Sequence, residues 1–191
     1  MTGISTKNPK AVVLAALVAG AVLLAAPALA FGQGIFVRVD GIPGESMDGA
    51  HRSWIVASGC VDGMTPAAAS TGTMMTVRPT ASRGGIKFEN IKIMKSIDKA
   101  SPKLRLAAAE SGVIKTVEID FTRTDGQVFL HIVLDRVGVS EITSEFFGSE
   151  AKETVALSFG TITYTYTEYD SAGRSKGTVS FGWDVRAGKR L

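Results

Sequence analysis

Few residues in this sequence could be assembled into a reactive centre. There are two histidines, His51 and His131, and one cysteine, Cys60. Asp135 lies four residues after His131, on the same face of a strand but two pleats away. With no third histidine and no cysteine alongside, that spacing forms no zinc ligand set. His131 reads as a polar residue on a covered strand face, and His51, after the turn-rich GIPGESMDGA, as a residue bonded to loop backbone. No G-x-S-x-G turn is present to carry a hydrolase serine. Gly41–Ser46, GIPGES, lacks the lysine and following helix of a phosphate cradle. Glu141, Glu145, Glu150 and Glu153 could act as paired carboxylates or bind calcium, but their spacing is not D-x-D-x-D-G. They read as a solvated, charge-rich loop. The T-I-T-Y-T-Y-T ladder has the look of a sugar platform, yet exposed strands favour the same alternation. The sequence therefore offers no catalytic residue, no cofactor-binding residue, no metal ligand and no cofactor, and it does not read as an enzyme.

The ends decide what the composition means. Residues 1–10 carry Lys7 and Lys10 and no acid, Ala11 to Ala26 is an unbroken apolar run, Pro27 breaks it, and Ala28-Leu29-Ala30 follows. That is the layout of a cleavable signal peptide over 1–30, leaving a mature chain from Phe31. The expected location is then secreted or periplasmic in a bacterium, with no stable membrane insertion after cleavage. Without the leader, 19 Lys and Arg face 18 Asp and Glu, so the formal charge of +3 falls to about +1. The bases are scattered among acids with no aromatic-interleaved stripe, which excludes a nucleic-acid surface. Residues 31–191 suffice for one domain with a real core. A single cysteine allows no intrachain disulfide, so packing must hold the fold; Cys60 reads as a buried, inert thiol on a strand, the alternative being a pair between two chains.

The elements that would position any site are strands. Ile35, Val37 and Val39 alternate with polar neighbours, as do Val117, Ile119 and Phe121, and Val179, Phe181, Trp183 and Val185. Each reads as a half-buried strand. Residues 127–137 show two apolar faces, Val128, Leu130, Ile132 and Leu134 on one and Phe129, Val133 and Val137 on the other, as in a strand covered on both sides. Thr124-Asp125-Gly126 marks the hairpin before it. Inward parity changes at Gly160, from Val155, Leu157 and Phe159 to Ile162, Tyr164 and Tyr166, and again around Glu89-Asn90. A strand that changes parity bends, and bent strands curl a sheet into a barrel. One helix is expected over 102–111, with Ser101 as N-cap, Pro102 in its first turn and Gly112 as a left-handed C-cap, docked over the second face of 127–137. Thr65–Arg83 reads as a long excursion, and Ser144–Glu153 and Asp170–Gly177 as polar connections.

An ordered set of short motifs runs through the mature chain: Val39-Asp40-Gly41, Gly44-Glu45-Ser46, Ile97 to Pro102, Thr154 to Tyr166, and Gly182-Trp183-Asp184. In order and spacing the set resembles the Hcp family, the tube protein of bacterial type VI secretion. The resemblance implies a mainly β fold over 31–191, a compact bent-strand β-barrel with one short docked α-helix. It further implies a structural protomer that partners itself in homo-hexameric rings, which stack into a tube beside sheath, spike and effector proteins. Members of that family need no leader, so residues 1–30 leave two readings: an exported variant that carries or accompanies effectors, or a copy that serves in a cytoplasm-assembled tube with the leader unused. The alternative is an exported β-barrel binding module for a small ligand or glycan, without catalysis. A third reading, an exported hydrolase, has only the acidic loop and His131 behind it.

Overall fold

Alternating Ile, Val and Phe along most of the chain produces strands, and the strands close on themselves. The computed structural model describes residues 33–66 and 86–191. In chain order these form β1 (Gly34–Val39), β2 (Ile55–Val61), β3 (Met64–Pro66), β4 (Ile86–Phe88), β5 (Ile91–Ser96), α1 (Ser101–Ala109), β6 (Val113–Thr122), β7 (Val128–Phe147), β8 (Glu150–Ser158), β9 (Thr161–Tyr169), β10 (Ser175–Asp184) and β11 (Lys189–Arg190). The leader expected over 1–30 lies outside the described residues, as does all of the Thr65–Arg83 excursion after Pro66.

Six strands make the barrel. β7 pairs with β6, β6 with β1, β1 with β2, β2 with β5 and β5 with β8, and β8 returns to β7, every pair antiparallel. Closure leaves these strands no free ladder along most of their length. Their inward side chains form one core, with Val37, Ile55, Ile91, Ile119, Leu134 and Leu157 all nearly sealed from solvent.

β7 has 20 residues, far longer than the expected 127–137. One edge holds β6, while the other holds β9 along its first half and β8 along its second. The ladder bends where Arg136, at φ 53°, lies beside Gly160. Gly160 N–H donates to the Asp135 carbonyl at 2.9 Å, and its own carbonyl accepts from Val185 N–H at 3.0 Å. A Cβ on Gly160 would stand 2.5 Å from Arg136 Nε, so the glycine is there for close approach. The parity change expected here is present in both strands: Val155 and Leu157 give way to Ile162, and Ile132 and Leu134 give way to Val137 and Val139. Val137 thus joins the core instead of a second face. The change around Glu89-Asn90 is a break instead of a bend, because β4 leaves the barrel to pair with β3 in a separate two-stranded sheet. Ser144–Glu153 is no loop either. It is a hairpin running in register from Ser144↔Glu153 to Phe147↔Glu150, turning at Gly148.

The helix forms where expected, with different ends. Ala100 is the N-cap and makes no side-chain cap bond, while Ser101 is already helical and its hydroxyl is used elsewhere. At the other end Ser111, not Gly112, is left-handed at φ 51°. Gly112 N–H reaches the Ala107 carbonyl at 2.9 Å and Ser111 N–H the Ala108 carbonyl at 3.3 Å, the two bonds of a Schellman stop. Leu104, 1% exposed, enters the barrel among Val37, Val39, Ile55, Ile93, Val155 and Leu157. Leu104 thus anchors the helix in the barrel's core, and β7 is the strand the helix packs along.

β9, β10 and β11 extend the sheet outward from β7 as a wing. Registers carry one apolar row straight across five strands, Val39, Val117, Leu134, Ile162 and Trp183. The strand at 175–184, read as half buried, lies beyond the barrel, with Val179 73% exposed.

Candidate functional site

Three polar clusters gather the residues singled out for chemistry. The first joins both histidines through one carboxylate. Asp120 Oδ2 lies 3.0 Å from His51 Nε2, and its Oδ1 lies 2.5 Å from His131 Nδ1. His51 Nδ1 faces Asp48 Oδ1 at 2.8 Å. The imidazole is stacked flat on Phe36 at 4.2 Å and takes the edge of Trp54 at 4.9 Å. Its partners are thus carboxylates, not the loop backbone expected from sequence. The Asp48 carboxyl sits below its ordinary value of 3.8: burial pushes it up, and hydrogen bonds from the His51 ring and the His51 and Ala50 backbone outweigh that. With both ring nitrogens held by carboxylates and the side chain 3% exposed, His51 is closed to an outside substrate. This cluster ties the 41–54 segment to the barrel. Gly44 makes the same segment fit, since a Cβ there would stand 2.4 Å from the Trp54 carbonyl.

The second cluster lies at the strand-to-helix joint and has the outline of a Ser–Lys dyad, with Lys95 Nζ 3.1 Å from Ser101 Oγ. The surroundings rule out that chemistry. Lys95 Nζ also faces the Ser96 carbonyl at 2.8 Å, Asp98 Oδ1 at 2.7 Å and Glu153 Oε1 at 2.9 Å, an all-acceptor shell that suits an ammonium and leaves no lone pair. Ser101 Oγ accepts from Asp98 N–H at 3.0 Å and donates to Glu153 Oε1 at 2.6 Å. Arg105 reaches Glu153 Oε2 at 3.1 Å. Lys95 and Glu153 are almost wholly shut from water, so no substrate reaches them. The four glutamates read as one solvated loop therefore part company. Glu153 points inward, while Glu141, Glu145 and Glu150 stay on the exposed hairpin.

In the third, Cys60 neighbours Asp62, whose carboxylate accepts from the Tyr164 hydroxyl. Burial, then the Asp62 charge, pushes the Cys60 thiol up to about 12, so almost none of it is the reactive thiolate at neutral pH. Burial and the Asp62 hydrogen bond likewise raise the Tyr164 hydroxyl. Among the described residues no group of three or more His, Cys, Asp and Glu is placed to hold a metal ion. The space lined by Val37, Val39, Ile55 and Leu104 is about 10 Å³, at the lower limit for a single water.

Sequence reasoning missed Asp120 and Lys95. A signal existed for the first: once the hairpin after Thr122 is set, Asp120 stands directly opposite His131. For Lys95 only its local partners Asp98 and Ser101 could have been found, since Glu153 is 58 residues away.

The comparisons with known proteins point one way. The family model described as "Type VI secretion system effector, Hcp" matches residues 36–166. A solved type six secretion system protein superposes with a TM-score of 0.73 at 23% identity, covering 84% of this chain and all of that one. Hcp1 from Salmonella typhimurium gives 0.67 at 24% identity, over 84% of this chain and 99% of its own. A type VI secretion system effector from Yersinia pestis gives 0.64 at 22%, over 79% and 99%. No curated protein sequence matches the chain. With the family model spanning well over half its length, the chain belongs to the Hcp family of bacterial type VI secretion, whose members are secreted, self-associating structural tube proteins and not enzymes.

Proposed function

We propose that the mature chain, residues 31–191, assembles into closed six-subunit rings that stack into a hollow tube, and that its partners there are sheath, spike and effector proteins. The family match over 36–166 carries this reading. The barrel supports it: its interior is filled by its own side chains and by α1, so any function must lie on outward faces. The same filling leaves the ligand-binding alternative no site inside the barrel, only open surface hollows such as the one of about 350 Å³ lined by Arg38, Asp40, Lys115 and Glu118. The leader over 1–30 makes this an exported variant, cleaved after Ala30.

Both parts are tested on protein produced from the full-length gene. Protein recovered outside the cytoplasm should begin at Phe31, and its native mass should be six times the subunit mass. Met1 retained on a soluble cytoplasmic pool would refute export, and a monomer at every concentration would refute the ring.

A further inference from the structure

Three contacts in the histidine cluster need three protons. Asp48 Oδ1 faces His51 Nδ1 at 2.8 Å, Asp120 Oδ2 faces His51 Nε2 at 3.0 Å, and Asp120 Oδ1 faces His131 Nδ1 at 2.5 Å. An ionised carboxylate only accepts, so each proton must come from a ring nitrogen, and two neutral imidazoles carry one each. The cluster is therefore one proton short unless His51 donates from both nitrogens. Placing that proton on a carboxyl instead is the poorer choice, because carboxylates take one up about two pH units or more below histidine. The flat stack on Phe36 at 4.2 Å gives a cationic ring a further partner.

The same ring joins the 41–54 segment to the barrel. Inside the segment, Asp48 Oδ1 accepts from the Ala50 and His51 N–H groups, and the Gly44, Ser46 and Ser53 N–H groups donate to the segment's own carbonyls. Among the described residues, the side-chain hydrogen bonds that leave the segment are His51 to Asp120 and Glu45 Oε1 to the Lys99 N–H at 3.0 Å. The other charged groups around the ring are already engaged or turned away. Arg38 of β1 lies 5.5 Å over the Trp54 ring and pairs with Glu118 of β6, while Arg52 is exposed. His131 of β7 lies beyond Asp120 and is 36% exposed, where the cluster meets solvent.

We infer that His51 is an imidazolium and a proton-dependent latch for the 41–54 segment: charged, it joins Asp48 to Asp120, and on losing its proton it lets the segment go. The docked segment then holds one proton more than the released one, so docking gains as pH falls and weakens as pH rises. The contribution is present in full below about pH 6.5, where a released histidine is charged as well. Above that it falls by up to tenfold per pH unit, the limit for one proton, and is gone once the docked ring has lost its proton. Acid does not reach the latch first. Burial pushes the Asp48 carboxyl up, but hydrogen bonds from His51 and Ala50 bring it below 3.8, so it stays ionised through the histidine range. The latch belongs to the subunit and stands whether or not rings form.

The test sets the wild-type chain beside Asp120→Asn. In that variant the amide N–H donates to His51 Nε2 and the amide oxygen accepts from His131, so three protons are present with His51 neutral. Nitrogen-15 NMR counts the protons on the His51 ring. Hydrogen exchange of the 44–54 amides, corrected for its intrinsic pH dependence and referred to β6 amides, reads docking. In wild type both ring nitrogens should carry protons at about pH 7.5, where a free histidine is mostly neutral. Exchange of the segment should rise by up to tenfold per pH unit above about pH 6.5. Asp120→Asn should keep the segment protected and abolish that rise. A singly protonated His51 ring in wild type at about pH 7.5 would overturn the inference, as would wild-type protection that does not change with pH. An equal rise in Asp120→Asn, or a folded Asp120→Asn with the segment unprotected at every pH, would overturn it too. If Asp120→Asn does not fold, the proton count on the wild-type ring decides alone.

Discussion

Lys95 and Glu153 show why a motif that looks chemical in sequence can be structural in the fold. A buried ion pair costs several kcal/mol to desolvate per ion and repays it only when every polar atom is matched. Here Ser101, Asp98, the Ser96 carbonyl and Arg105 supply the matches. The serine expected to cap the helix is used instead to fix the ion pair. Glu153→Leu should therefore cost about 3–5 kcal/mol, because it takes a shared carboxylate from Lys95, Ser101 and Arg105 and leaves Lys95 with Asp98 as its one acidic partner. The double variant Lys95→Met, Glu153→Leu should recover part of that loss, since the two apolar side chains need no partners while Asp98 and Ser101 each lose at least one. Urea unfolding of the two single variants and the double gives the coupling directly. If the double variant is no more stable than Glu153→Leu alone, the pair is not an isolated unit. The histidine cluster has the same character: His51 and His131 were visible as candidates in the sequence, but the carboxylate that joins them was visible only as one polar position of β6.

At the scale of elements, the joint between β5 and α1 sets where the helix sits, and its far end carries strain that can be removed. Ser111 holds φ 51° at the position where a helix stop prefers glycine, a conformation that costs an L-residue about 1 kcal/mol. Ser111→Gly should raise stability by roughly 0.5–1 kcal/mol, read as a higher urea midpoint with unchanged slope. A lower midpoint would mean that the serine side chain contributes more than its backbone costs. Strand identity was legible in sequence wherever alternation was strict, as in Ile35, Val37 and Val39, and the bend was legible from Gly160. The extension of β7 to Phe147 was not, because S-E-F-F beside a charged turn carries no period. The partner bend at Arg136 also left no mark, since arginine at a positive φ has no sequence signature. Closure of the barrel through β5 and β8 depends on pairing Ile91 with Leu157, a contact no local pattern encodes.

For the whole molecule, the balance of forces in assembly follows from charge and surface. Residues 31–191 hold 19 Lys and Arg against 18 Asp and Glu, so neither self-repulsion nor long-range steering is strong over that span. Exposed ion pairs such as Lys87–Glu89, Lys152–Glu150 and Lys176–Glu168 close within the chain, and at a surface such pairs contribute little. What the surface does offer is apolar area: Val179, Phe146, Phe147 and Val113 are each at least 66% exposed. Adjacent Phe146 and Phe147 flank the Gly148 turn, an unusual place for two large side chains unless a partner covers them. If rings form, contacts of this kind should hold them, and salt should matter little. At 1 M salt the screening length is about 3 Å, short enough to quench exposed ion pairs, while burial of apolar surface is left intact or strengthened. Native mass at low salt and electron microscopy in 1 M sodium chloride should therefore report the same ring. Dissociation into monomers on raising salt would show that charged contacts dominate the interface, and would move the search for it from the wing and hairpin tip to the Lys- and Arg-bearing edges.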